Sequence, residues 1–153
     1  MHITPGDLDD TRIVELIRFH IDHARAETAP GSAHALDLSG LRAPDIRFWA
    51  LWEEQTLLAI GALKRLSADH GEVKSMHTTP AARRRGAGSL MLRHIIAAAR
   101  ADGLSRLSLE TGSWDYFIPA RAFYSSHGFV ECAPFGEYVP DRNSVFMTLE
   151  LGQ

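Results

Sequence analysis

The stretch that most restricts the fold lies between residues 71 and 102. Gly71 to Thr78 reads as a strand, and Leu92, Ile95, Ile96 and Ala99 then recur as the single buried stripe of a long helix. Between the two stand Arg83-Arg84-Arg85-Gly86-Ala87-Gly88. Gly86 and Gly88 can take conformations closed to other residues and let backbone N–H groups approach a ligand. The first N–H groups of the helix have no partner inside it, and the helix dipole favours an anion at that end. With three arginines at the same mouth, the segment predicts a phosphate or pyrophosphate site; the plainer alternative is a solvated basic loop capping a helix. It is not a Walker A loop, because no Gly-Lys-Ser/Thr closes it. Nor is it a dinucleotide fingerprint, because the third glycine is missing.

The remaining pattern places strands and helices around this unit. A strand opens the chain at His2 to Thr4. From Asp9 the pattern is helical, with Ile13, Leu16, Ile17, His20 and Ile21 at helix spacing, and it ends before Pro30-Gly31. Ser32 to Leu41 reads equally as a short helix or an ordered loop. Asp45 to Trp52 and Thr56 to Arg65 flank Glu53-Glu54-Gln55 as a hairpin. Gly103 is placed to end the long helix. Leu104 to Thr111 follows as a strand with Leu107 and Leu109 on one face, Ser108 and Glu110 on the other. A helix from Phe117 to Ser126 and strands over Phe129 to Ala133 and Ser144 to Leu151 complete the chain. The order predicts an α/β fold, a mixed sheet covered by helices on both faces. No repeat or linker divides the 153 residues, so one domain over 1–153 is expected.

Composition removes several classes. Cys132 is the only cysteine, which excludes an internal disulfide and a CxxC zinc pair. His20 and His23 sit at i, i+3, but no further ligand has matching spacing, so no metal is expected and both read as helix-face or pocket-lining residues. No apolar run is long enough to span a membrane, and residues 1–7 lack the basic and apolar regions of a signal peptide. A cytoplasmic setting is expected. A formal net charge of -3 argues against a nucleic-acid partner, leaving the arginines as a local anion site.

Arg83-x-x-Gly86-x-Gly88 after a strand resembles the Arg/Gln-x-x-Gly-x-Gly/Ala signature of the GCN5-related N-acetyltransferases (GNAT). Ala120-Arg121-Ala122-Phe123-Tyr124-Ser125-Ser126-His127-Gly128-Phe129 is similar to the family's second element, Ala-x-x-Leu-Tyr-x-x-x-Gly-Phe. The order of elements agrees along nearly the whole chain. Glu72 to Met76, Leu109 to Gly112, Pro134 to Tyr138 and Asn143 to Met147 further resemble a bacterial subgroup of small acetyltransferases. Many relatives carry Asn seven positions before the helix tyrosine, where it contacts the pantetheine arm. Here that position is Phe117, so the arm's polar contacts fall to strand backbone or to Ser125.

The resemblance implies a mostly antiparallel sheet whose two central parallel strands, Gly71–Thr78 and Leu104–Thr111, splay around acetyl-CoA as co-substrate. Backbone groups of Met76, His77 and Thr78 then pair with the pantetheine. The pyrophosphate rests on the segment Arg83, Arg84, Arg85, Gly86, Ala87, Gly88 and Ser89. Tyr124 stands where the family places its general acid, the alternative being a core tyrosine. Glu72, eleven residues before Arg83, is the candidate base. Its alternative is a carboxylate paired across the sheet, with Glu110, His77 or a water chain in reserve. The Met76 N–H would steady the oxygen that becomes negative. Ser32, His34, Trp114 and Tyr116 are candidates for the acceptor pocket, while Trp49 and Trp52 read as core and rim.

The resulting expectation is transfer of an acetyl group to the primary amine of a small molecule, by direct attack in a ternary complex. A protein or peptide acceptor and a non-catalytic CoA-sensing domain are the alternatives. Homodimers are frequent in the family.

Overall fold

The computed structural model describes residues 1–152. Its strands are β1 (His2–Pro5), β2 (Ile46–Glu53), β3 (Thr56–Arg65), β4 (His70–Thr78), β5 (Arg106–Gly112), β6 (Val130–Glu131) and β7 (Ser144–Glu150). They form one sheet in the order β1-β2-β3-β4-β5-β7-β6. All neighbours are antiparallel except β4 and β5, which are parallel. The helices are α1 (Thr11–Ala26), α2 (Leu38–Leu41), α3 (Ala87–Ala101) and α4 (Ile118–Ser126). Single 3₁₀ turns at Pro80–Ala82 and Asp115–Phe117 lead into the last two.

Strand periodicity sorts the side chains into two cores. Phe48, Ala50 and Trp52 of β2 join Ile60 and Ala62 of β3 beneath Ile13, Leu16, Ile17 and Ile21 of α1 and Leu41 of α2. The alternate residues Trp49, Leu51, Ala59 and Leu63 face the other way, against Met91, Leu92, Ile95 and Ala99 of α3. Burial on both faces explains why β2 and β3 are near-continuous apolar runs. Trp49 and Trp52 are both core, and the Trp52 indole N–H donates to the Thr4 hydroxyl at 3.1 Å.

Local chemistry sets the boundaries. The Asp10 side chain accepts from the Arg12 N–H and starts α1; Asp37 does the same for α2 from the Gly40 N–H at 2.8 Å. The region after α1 is therefore both of the expected alternatives, a loop and then one helical turn. Two strands and a helix show where boundaries differ from the sequence reading. β5 begins at Arg106 because the Leu104 N–H closes the end of α3 on the Ala99 carbonyl at 3.0 Å. β6 keeps only two residues, since Phe129 turns into the core beside Tyr124, ring centroids 5.8 Å apart. α4 begins at Ile118, behind the 3₁₀ turn that takes up Phe117.

Candidate active site

β4 and β5 pair over three residues only: His70 with Arg106, Gly71 with Leu107, and Glu72 with Ser108. The Asp69 carbonyl pins that end, accepting from the N–H groups of Ser105 at 2.9 Å and Arg106 at 3.2 Å. Beyond Glu72 each strand stays with its outer neighbour, β4 with β3 as far as Thr78 and β5 with β7 as far as Gly112. A bulge accompanies the parting. The β3–β4 register shifts between Ile60 and Ala62, and Ser75 lies at φ +55°, uncommon for a residue with a side chain. Bulges bend the strand that carries them. The facing edges of residues 73–78 and 109–112 are thus left without a strand partner, and a cavity of about 730 Å³ opens between them.

On the face carrying α3 the cavity meets the Arg-rich loop. Gly86 sits at φ +81° as the residue before the first helical turn, and no side chain caps the helix. Nothing lies within 4 Å of where a Cβ of Gly86 would be, while one on Gly88 would stand 3.3 Å from the Thr78 hydroxyl. The bare amides of the first turn therefore open on the cavity wall, which Gly86, Ala87, Gly88 and Ser89 help form. Arg83 and Arg84 line it too. Arg85 does not: its guanidinium grips both oxygens of Glu53 at 2.7 and 2.8 Å, tying the loop to the β2–β3 hairpin.

Met76, His77 and Thr78 form the β4 side of the wall. The Met76 sulfur also packs into the core, 3.0 Å from where a Cβ on Gly61 would lie. The His77 and His20 Nδ1 atoms approach to 3.1 Å, so one ring donates and the other accepts. Burial pushes His20 down to about 4 and His77 down to about 3, favouring neutral imidazoles. Tyr124 reaches the wall from α4, its ring set edge-on to Phe123 at 5.3 Å. Burial alone pushes its hydroxyl well above the ordinary tyrosine range, and no hydrogen bond contributes.

The opposite face carries the carboxylates. Glu72 is 3% exposed, and Tyr138 donates its hydroxyl to Glu72 Oε2 at 2.6 Å. Lys74, two residues along and on the same face of β4, donates to that Oε2 at 3.3 Å and to the Tyr138 oxygen at 2.9 Å. Both contacts fall on Oε2; among the described residues Oε1 has no hydrogen-bond partner, and Glu72 lines the cavity. Glu110 faces it from β5, its carboxyl raised chiefly by burial against the lowering pull of Ser144, His34 and Lys74, with a small further rise from Glu72.

Other expected residues divide. Ser32, His34, Tyr116, His20 and His23 line the cavity. Trp114 lies off the wall, its indole N–H donating to Asn143 Oδ1 at 3.0 Å. Ser125 is exposed and also off the wall. The Phe117 ring packs over the Gly112 backbone, leaving no room for a Cβ there, and presents an apolar surface where relatives carry Asn. Thr28, Lys74 and Tyr138 were absent from the sequence-derived site. The i, i+2 spacing of Glu72 and Lys74 in a strand was the available signal for one of them. Tyr138, 66 residues from Glu72, had none. Among the described residues no group of three or more His, Cys, Asp or Glu is disposed to hold a metal. No helix among them is long and apolar enough to cross a membrane.

The site is thus a sheet parted between two parallel strands, with a bare helix N-terminus on one face and the carboxylates of Glu72 and Glu110 on the other. The chain belongs to the acetyltransferase (GNAT) family, whose model matches residues 9–129, and it is an N-acetyltransferase. It is 47% identical over 151 residues to YsnE of Bacillus subtilis, an N-acetyltransferase by name, covering 99% of this chain and all of that one. It is 44% identical to YedL of Escherichia coli, named likewise, over 97% of this chain and 94% of the other. Among solved structures, a Klebsiella pneumoniae protein named for acyl-CoA N-acyltransfer matches with a TM-score of 0.81 at 28% identity, covering 98% of this chain and 97% of that chain.

Proposed function

We propose that the enzyme moves an acetyl group from acetyl-CoA to the primary amine of a small molecule, by direct attack while both are bound. The observation that carries this is the parting of β4 from β5 after Glu72, with the α3 N-terminus at one face of the gap and Glu72 and Glu110 at the other. The loop fits a pyrophosphate: bare amides, two cavity-facing arginines, and a Gly88 whose Cβ would intrude on Thr78. Acetyl-CoA supplies the acetyl group as a thioester, so a C–N bond forms as the C–S bond breaks and free thiol leaves. Arg83, Arg84 and the residues Gly86 to Ser89 hold its phosphates, and the free edge of β4 at Met76, His77 and Thr78 holds its arm. The Met76 N–H donates to the acetyl oxygen. Glu72 takes the amine proton on Oε1, and Tyr124 Oη holds the proton destined for sulfur. Tyr124 suits that part because its buried hydroxyl stays protonated.

A small acceptor is favoured over a peptide because Ser32, His34 and Ala35 stand on the wall and narrow its acceptor side. The experiment is thiol release from acetyl-CoA across amines, amino acids and peptides, with both substrates varied. Intersecting reciprocal plots with small amines are expected. Parallel plots would overturn direct attack, turnover confined to peptides would overturn the small acceptor, and coenzyme A binding without thiol release from any acceptor would leave a sensing domain.

A further inference from the structure

The acceptor side of the cavity carries a charge pattern that transfer to an amine does not by itself require. Glu72 and Glu110 both face it. One ammonium answers these two carboxylates. Lys74, its side chain 9% exposed, is already bonded to Glu72 and Tyr138. His34 lines the same cavity. The arginines of the described wall are Arg83 and Arg84, in the loop before α3. No guanidinium is therefore offered on the acceptor side, where a site built for a carboxylate would present one as a fork.

Two hydroxyls point to a ligand independently of the charges. Thr28 and Ser75 are 7% and 8% exposed and both line the cavity, yet neither side-chain oxygen has a hydrogen-bond partner. Buried polar atoms are seldom left so. Each oxygen can accept from an N–H. The remaining surroundings, Val73, Leu109, Phe117 and Ala24, are apolar and weaken screening.

Resting on the transfer reading above, we propose that the acceptor enters as an ammonium cation with no carboxylate beside its reactive nitrogen, an alkyl or arylalkyl amine, and that α-amino acids are selected against. Charge arithmetic supports this. Glu72, Glu110 and Lys74 leave one negative charge on the acceptor side of the wall, away from Arg83 and Arg84, and an ammonium cancels it. An α-amino acid brings its own anion and restores the imbalance in a poorly screened space. The raised Glu110 carboxyl fits a group whose charge awaits a partner.

The test uses the full chain and two matched sets: tyramine, tyrosine and tyrosine methyl ester; agmatine, arginine and arginine methyl ester. Calorimetry first measures coenzyme A binding, then each amine on the coenzyme A complex; thiol release from acetyl-CoA gives kcat/KM. The amine and the ester are expected to exceed the acid by about tenfold or more, as a misplaced like charge costs. Glu110→Gln is expected to shrink that ratio. Amino acids used as well as their amines and esters would overturn the proposal while leaving acetyl transfer intact. So would an absence of binding by both sets. Failure of coenzyme A to bind, read in the first titration, would instead overturn the transfer reading and this proposal with it.

Discussion

Tyr124 and Glu72 reach the cavity by different routes, and the difference decides what each substitution reports. Tyr124 is wedged between Phe123 and Phe129, at ring distances of 5.3 and 5.8 Å, so Tyr124→Phe keeps the edge contacts and removes one hydroxyl that touches no protein partner. The fold is expected to survive while kcat falls about 10²–10⁴-fold and coenzyme A affinity stays put, read by thiol release and calorimetry. Full kcat in this variant would assign Tyr124 to the core alone. Glu72→Gln is expected to erase the limb of the pH–rate profile that rises toward alkaline pH. An unchanged profile would pass the base to Glu110, His77 or a water chain. The same contrast separates what was legible from what was not. Tyr124 lies inside a ten-residue pattern and could be found from neighbours in the chain. The partners of Glu72 could be found only in part, because Tyr138 arrives from the segment between β6 and β7. Removing Lys74 would leave Glu72 Oε2 with the Tyr138 hydroxyl as its one remaining partner, and a lower Tm is expected in Lys74→Met.

The element that most directly carries the proposed cofactor site is α3, with fifteen residues behind a bare N-terminus. Gly88→Asp sets a carboxylate among the first-turn amides. An acid there suits the helix dipole, and its Cβ meets Thr78 and Phe123 at 3.3 and 3.4 Å, so the unliganded variant is expected to fold. Coenzyme A at a hundredfold excess over Kd should raise the wild-type Tm by about 5–10 °C, the equivalent of roughly 2.7 kcal/mol. Gly88→Asp should lose that rise, and an undiminished shift would move the pyrophosphate elsewhere. Helices and strands with strong apolar periodicity, such as α1, α3 and β3, were legible within a residue or two because period and burial coincide there. β6 was not: its two residues are exposed on a sheet edge, and pairing with β7 rather than pattern makes them a strand. Nor does any residue of the sequence announce how far β4 and β5 stay together. That depends on the Asp69 carbonyl at one end and the Ser75 bulge further along.

At the scale of the molecule, α1 is joined to the sheet partly through His20 and His77, and this makes stability sensitive to acid. In an unfolded chain a histidine takes a proton near pH 6.5; the folded rings resist until about 4 for His20 and about 3 for His77. The unfolded state therefore binds more protons across that window. The contribution is whole above pH 6.5 and is lost as pH falls toward 4 and below. Lys74 and His23 reinforce it at His20, and His20, Arg83 and His23 at His77. The Tm is expected to drop between pH 6.5 and 4, and to drop less in His20→Gln; equal slopes would place the acid sensitivity in other groups. The parted strands have a consequence of another kind. Residues 73–78 and 109–112 offer hydrogen-bonding edges that no segment of the chain completes. On the proposed occupancy, the missing partner is a metabolite, so the amides along this seam exchange readily with solvent in the empty chain and are shielded in the loaded one. The abundance of the intact protein in a cell would then follow the supply of its acyl donor. A starved cell would hold more chains with an open seam within reach of proteases, and would clear them faster than a fed one.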